Sequence, residues 1–184
     1  MIQFRIQSTP NPNARKYVVS EEVKATGRVT YTDKEECKHV PLARAIMNTK
    51  GIKQVHFFEN VVTVTQDGSM DWSSLDSSLQ EIIVQAIPTH DIFFKEYTET
   101  NSTKTPKELT GELKKIDEIL EKTIRPSLQM DGGDIELVEF EQSILTVKYM
   151  GACGDCPSSM TATLSAIQNL LRTEYNEEIT VAVV

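Results

Sequence analysis

Apolar residues along the chain return in two rhythms, and these predict its elements. Leu109, Leu113, Ile116, Leu120 and Ile124 recur every three or four residues, the spacing of a helix with one buried face. Thr110 suits the N-cap of that helix, and Pro126 must kink it or restart it as the first position of a short second turn. Asp131-Gly132-Gly133-Asp134 then stops it, because glycine accepts left-handed backbone angles without a steric penalty. Two strands follow, around 135–140 and 144–149. In the second, Leu145, Val147 and Tyr149 alternate with Thr146 and Lys148, so one face is buried, and 141–143 closes the hairpin. Met160, Leu164, Ile167 and Leu171 stripe another helix, and 179–184 is β-branched apart from Ala182, a last strand.

The first half carries strand-like runs at 2–7, 16–20, 51–58 and 61–66, the last two joined through Glu59-Asn60. Helices are predicted at 41–48 and 71–87, the second turning Trp72, Leu75, Leu79, Ile82, Ile83 and Ala86 inward. Between the halves, KEYTETNSTKTPKE (95–108) holds one aromatic and no aliphatic residue, too little apolar surface to order itself. The pattern therefore predicts an α+β protein of two small α+β domains, 1–94 and 108–184, joined by a flexible linker at 95–107. The C-terminal domain reads α-β-β-α-β, and no internal repeat relates it to the first.

Charge divides along the same boundary. Residues 1–95 are neutral, whereas 96–184 hold 8 Lys/Arg against 16 Asp/Glu, the whole net charge of −8. An acidic domain is a poor nucleic-acid binder, since phosphate affinity depends on basic side chains releasing counterions. No apolar run approaches the roughly 20 residues needed to span a bilayer, so no membrane partner is expected. The N-terminal residues carry no apolar or Arg/Ser-rich leader, which places the chain in a bacterial cytoplasm, or in an organellar matrix if it is a processed form. Three cysteines are too few and too odd for a secreted disulfide scaffold, and point instead to metal binding or thiol chemistry. No phosphate loop, Ser/His/Asp set or pair of catalytic carboxylates appears, so the chain does not read as an enzyme.

The chemistry concentrates in GACGDCPSS (151–159), between the second strand and second helix of the C-terminal domain. Gly151 and Gly154 let the backbone turn and expose both sulfurs, Cys153 and Cys156. Pro157 suits the first helical position, so Cys156 falls at or beside an N-cap, where the helix dipole favours a thiolate. Structural zinc and iron–sulfur clusters want about four protein ligands. The C-terminal half offers two cysteines and no histidine; Cys37, His39, His56 and His90 all precede the linker. A homodimer supplies four thiolates around one site by symmetry. A dithiol redox pair is the competing reading, since CxxC at a helix start also serves thioredoxin-type chemistry. Its difficulty is topology: only 28 residues follow Cys156, enough for one helix and one strand. A CxxC without function is the third reading.

The run Arg125-Pro126…Leu128-Gln129…Asp131-Gly132-Gly133-Asp134-Ile135-Glu136-Leu137, followed by Gly151-Ala152-Cys153-Gly154-Asp155-Cys156-Pro157-Ser158-Ser159, resembles the NifU-like C-terminal domain. Thr9-Pro10-Asn11-Pro12-Asn13, Lys16-Tyr17 and Asp71-Trp72 resemble the N-terminal domain of Nfu-type proteins. The resemblance implies an iron–sulfur cluster carrier or scaffold, with Cys153 and Cys156 as ligands of a [4Fe–4S] cluster (alternatively [2Fe–2S]) bridged between two subunits. It implies apo iron–sulfur proteins as clients and an upstream assembly scaffold as donor. Asp155 departs from the small neutral residue typical there; a carboxylate beside a net-negative cluster should favour release, so Asp155→Ser should slow transfer. Among the remaining residues, Cys37 reads as a packing residue and His39 as a surface or capping residue. Trp72, Phe57 and Phe58 read as core ahead of a docking patch, and Glu136, Glu139 and Glu141 as a solvated strand face.

Overall fold

The computed structural model describes residues 2–95, 111–154 and 157–184, the side chains of 157–161 excepted. The linker beyond Lys95, with Leu109 and Thr110, lies outside the described residues. The chain forms two units, each mixed α and β.

In the first unit, β1 (Phe4–Ser8), β2 (Ala14–Val19), β3 (Arg28–Tyr31), β4 (Ile52–Phe58) and β5 (Val61–Gln66) form an antiparallel sheet in the order β1-β2-β5-β4-β3. Period-two alternation sends Tyr17, Val55, Phe57, Val62 and Val64 to one face, with Val64 opposite Val55 and Val62 opposite both Phe57 and Tyr17. That face packs against Leu42 and Ile46 of α1 (Pro41–Met47) and Leu75, Leu79 and Ile83 of α2 (Trp72–Ala86). Asp71 caps α2 by accepting from the Ser73 amide at 2.9 Å. Asp76 ties the helix to β2, accepting from the Tyr17 hydroxyl at 2.8 Å and pairing with Arg15 at 2.9 Å. Phe57 is fully buried, so it is core. The sequence pattern did not predict β3. It holds four residues at the sheet edge, and only its pairing with β4, Val29 opposite Phe57, makes it a strand.

The second unit runs α3 (Gly111–Thr123), α4 (Arg125–Met130), β6 (Gly133–Glu141), β7 (Ile144–Gly151), α5 (Pro157–Glu174), β8 (Thr180–Val183). Leu113, Ile116 and Leu120 bury the α3 stripe against Ile135, Leu145, Val147, Ile167 and Leu171. Pro126 restarts the helix: it is the second residue of α4, and Gly132, with φ +80°, ends that element. The hairpin β6–β7 turns through Gln142 and Ser143, both at positive φ without being glycine. A register shift between Leu137 and Glu139 keeps Leu137 inward while Glu136, Glu139 and Glu141 stay in solvent. After α5 the chain returns as β8, parallel to β7, giving the sheet order β6-β7-β8.

Candidate functional site

The open end of the β6–β7 hairpin pairs Gly133 with Gly151, so the Asp131–Asp134 turn and the first half of the cysteine loop meet there. Gly132 and Gly151 both hold positive φ, +80° and +61°. The Ala152 amide donates to the Gly132 carbonyl at 3.0 Å, and the Gly154 amide donates to Gly151 at 3.2 Å, curling the loop back on itself. The backbones approach too closely for side chains. A Cβ on Gly151 would stand 2.5 Å from the Gly132 oxygen and 3.0 Å from the Gly133 Cα. A Cβ on Gly133 would overlap the Cys153 sulfur and lie 2.9 Å from both the Cβ and the amide nitrogen of Cys153.

This geometry corrects one expectation. Gly151 and Gly154 do let the backbone turn, yet the Cys153 side chain is turned inward: it is 6 % exposed and belongs to the C-terminal core. Its thiol rests against Gly133, where the missing side chain leaves the only space at that contact. Asp155 and Cys156 lie outside the described residues; α5 begins immediately after them at Pro157. Tyr149, buried two residues before Gly151, has its phenol pushed up to about 12 by burial and by negative charge on Cys153.

Behind the glycine pair sits a charge cluster centred on Arg125. Arg125 is 1 % exposed. Its guanidinium pairs with Asp117 at 2.6 Å and Glu121 at 2.6 Å, both on α3, and with Asp134 at 3.3 Å on β6. It also donates to the Ile135 carbonyl at 3.3 Å. Asp134, fully buried, accepts from the Ile135 amide at 2.7 Å and from Gln129 at 3.2 Å. Burial works against the charge on Arg125, but Asp117, Glu121 and Asp134 together hold its pKa above the ordinary value. The cluster fixes α3, α4 and the start of β6 to one another, and so sets where Gly133 stands. Part of it is legible in the sequence, since Asp117, Glu121 and Arg125 follow at intervals of four, whereas Asp134 joins from β6.

The other candidate ligands are committed elsewhere. Cys37 is fully buried in the first unit and donates its thiol proton to the Lys34 carbonyl at 3.3 Å. Burial, then Asp33 and Glu36, pushes that thiol's pKa up. His56 lies 2.7 Å from the Thr30 hydroxyl, His90 2.8 Å from the Val23 carbonyl and His39 2.6 Å from the Lys95 carbonyl. Among the described residues, no group of three or more His, Cys, Asp or Glu side chains is placed to hold a metal ion. No helix of the described residues is long and apolar enough to cross a membrane.

Two family models match the chain. "Scaffold protein Nfu/NifU N terminal" covers residues 2–90 and "NifU-like domain" covers 116–182. The human protein named "NFU1 iron-sulfur cluster scaffold homolog, mitochondrial" is 33% identical over 171 residues, 92% of this chain and 66% of its own length. A protein of the same name from Drosophila persimilis is 28% identical over 170 residues, 92% of this chain and 60% of its own length. "NifU-like protein 5, mitochondrial" of Arabidopsis thaliana is 31% identical over 172 residues, 91% of this chain and 62% of its own length. The chain thus spans about two thirds or less of these relatives. With an Nfu N-terminal domain leading into a NifU-like domain whose glycine pair seats Cys153, the chain belongs to the Nfu-type, NifU-like family.

Proposed function

We propose that this protein is an iron–sulfur cluster scaffold or carrier, in which Cys153 and Cys156 of two copies bind one cluster and release it to apo-proteins. The observation that carries the reading is the placement of Cys153. Its sulfur is set at the junction of β7 and α5, one strand end and one helix start, by a glycine pair that admits no other side chain. Cys153 lies against the core in the single chain, so ligation turns its sulfur outward, where a thiolate is a soft ligand suited to iron. The second unit has no histidine and its two cysteines are Cys153 and Cys156, so four-fold ligation calls for a second chain. The relatives are named iron–sulfur cluster scaffolds, which supports the same reading.

The cluster is cargo, and the chain acts by binding and transfer without turnover. An acceptor's cysteines replace Cys153 and Cys156 one sulfur at a time, so the cargo is never unligated. [4Fe–4S] is the proposed type on the resemblance to the NifU-like family alone, because [2Fe–2S] needs the same four thiolates. An upstream assembly scaffold is the proposed donor and apo iron–sulfur proteins the clients. The names of the relatives favour a mitochondrial matrix over a bacterial cytoplasm.

The test is molecular mass in solution under anaerobic conditions, before and after adding iron and sulfide, with both counted per chain. The proposal predicts a coloured dimer whose iron and sulfide disappear when Cys153 or Cys156 is serine. Equal iron and sulfide in a four-to-one ratio to dimer assigns [4Fe–4S], and a two-to-one ratio assigns [2Fe–2S]. A colourless monomer that cycles reversibly through a Cys153–Cys156 disulfide would overturn the proposal in favour of dithiol redox chemistry.

A further inference from the structure

We infer that Gly133 is a positioning residue for Cys153, setting through its bare Cα where that cysteine's sulfur stands and so how firmly the cargo is gripped; this rests on the cluster reading above. Three observations carry it. First, the fit is specific to the ligand. A Cβ at 133 meets Cys153 at three atoms, the sulfur, the Cβ and the amide nitrogen, and meets them before any other residue. Second, rotating the Cys153 side chain relieves the sulfur alone. The overlaps with its Cβ and nitrogen, each at 2.9 Å, remain, so the loop backbone itself must move. Third, glycine is not needed at 133 for backbone reasons. Gly132 and Gly151 hold positive φ, whereas Gly133 does not. What glycine supplies at 133 is space for the ligand.

The position is also held from behind. Asp134, the next residue, is fully buried in the Arg125 cluster, and the Ile135 carbonyl accepts from the same guanidinium. Strand β6 therefore cannot yield to an added methyl group as easily as the loop can. The displacement falls on Cys153.

The experiment compares the wild-type chain with Gly133→Ala, using Gly151→Ala as a reference for general loop damage, since its Cβ strikes the Gly132 carbonyl instead of the sulfur. Iodoacetamide labelling of the apo chain, resolved by peptide mass spectrometry, reports Cys153, Cys156 and Cys37 separately. Gly133→Ala is expected to raise the labelling rate of Cys153 several-fold while leaving that of Cys37 unchanged. Removing a group that orients a metal ligand costs about 10- to 100-fold in affinity, so cluster loss to a chelator should quicken by about that factor. A double-mutant cycle guards against a variant that folds poorly. Because the sulfur is part of the overlap, Cys153→Ala should recover part of the urea stability that Gly133→Ala removes, and none of what Gly151→Ala removes. Unchanged labelling of Cys153, or the same stability loss with and without the sulfur, would overturn the assignment. A wild-type chain that takes up no iron would instead defeat the cluster reading, and labelling and the cycle would still decide the role of Gly133.

Discussion

Arg125 anchors the C-terminal unit, and replacing it by methionine measures how much. Methionine keeps the apolar stem and removes the charge, so the variant isolates the guanidinium. Its three carboxylates are unequal. Glu121 is 55 % exposed, and an exposed pair spaced i,i+4 contributes only about 0.3–0.5 kcal/mol. Asp117, 28 % exposed, adds somewhat more. Asp134 decides the outcome, because it is fully buried, and stripping a buried charge of its partner costs about 3–5 kcal/mol. At about 0.05–0.15 kcal/mol per residue, a unit of this size has a total stability of the same order. Arg125→Met should therefore bring it close to unfolding at room temperature. The assay is urea titration of the full chain, read two ways. Trp72 is the only tryptophan and lies in the first unit, so its fluorescence follows that unit, while far-UV circular dichroism follows both. The dichroism of Arg125→Met should show an early transition absent from the fluorescence. Adding Asp134→Asn, which leaves no buried charge behind, should recover part of the loss. A stability change below about 1 kcal/mol in Arg125→Met would refute the reasoning, since ordinary surface substitutions stay within about 0.5.

His56 makes the first unit sensitive to acid. Burial, reinforced by Arg28, pushes its pKa down to about 4, so the folded chain keeps it neutral while the unfolded chain protonates it near the ordinary value of about 6.5. Stability is then fully present above about pH 6.5 and is lost as pH falls toward 4. The loss by pH 4.5 is about 2.5 kcal/mol, read from Trp72 fluorescence in urea. His56→Gln should remove this part of the pH dependence, and a variant with an unchanged pH slope would contradict it. Cys37→Ser should leave iron and sulfide per chain unchanged, because Cys37 is sealed in the core of the other unit. It should lower that unit's stability by about 1 kcal/mol, and any fall in iron content would give Cys37 a ligand role.

Much of the fold is written in local patterns. The stripe Leu113, Ile116, Leu120 and the alternation Leu145, Val147, Tyr149 are both buried as their spacings require. Elements without such a pattern escape. Strand β3 is too short to alternate convincingly and exists through its pairing with β4. The turn at Gln142 and Ser143 lacks the glycine that normally marks positive φ. The site divides the same way. Residue types and spacing single out Cys153, but whether a thiol at a strand end faces out or in depends on what lies across the hairpin. The answer is Gly133, twenty residues earlier in the chain and directly opposite Gly151. The buried charge of Arg125 was equally hidden, because Asp134 comes to it from another element.

The two pairings of β7 differ in how far the chain must travel to make them. On one side, Glu141 opposite Ile144 begins a hairpin that can zip from its own turn; on the other, Ile144 meets Thr180 only after all of α5 has been traversed. Loops of such different length close on different timescales, the short one first. The cysteine loop sits at the seam between the early and the late half of this assembly. Because the hairpin closes from its own turn, Gly133 and Gly151 come together with it, and the recess for Cys153 is shaped before β8 docks beyond α5.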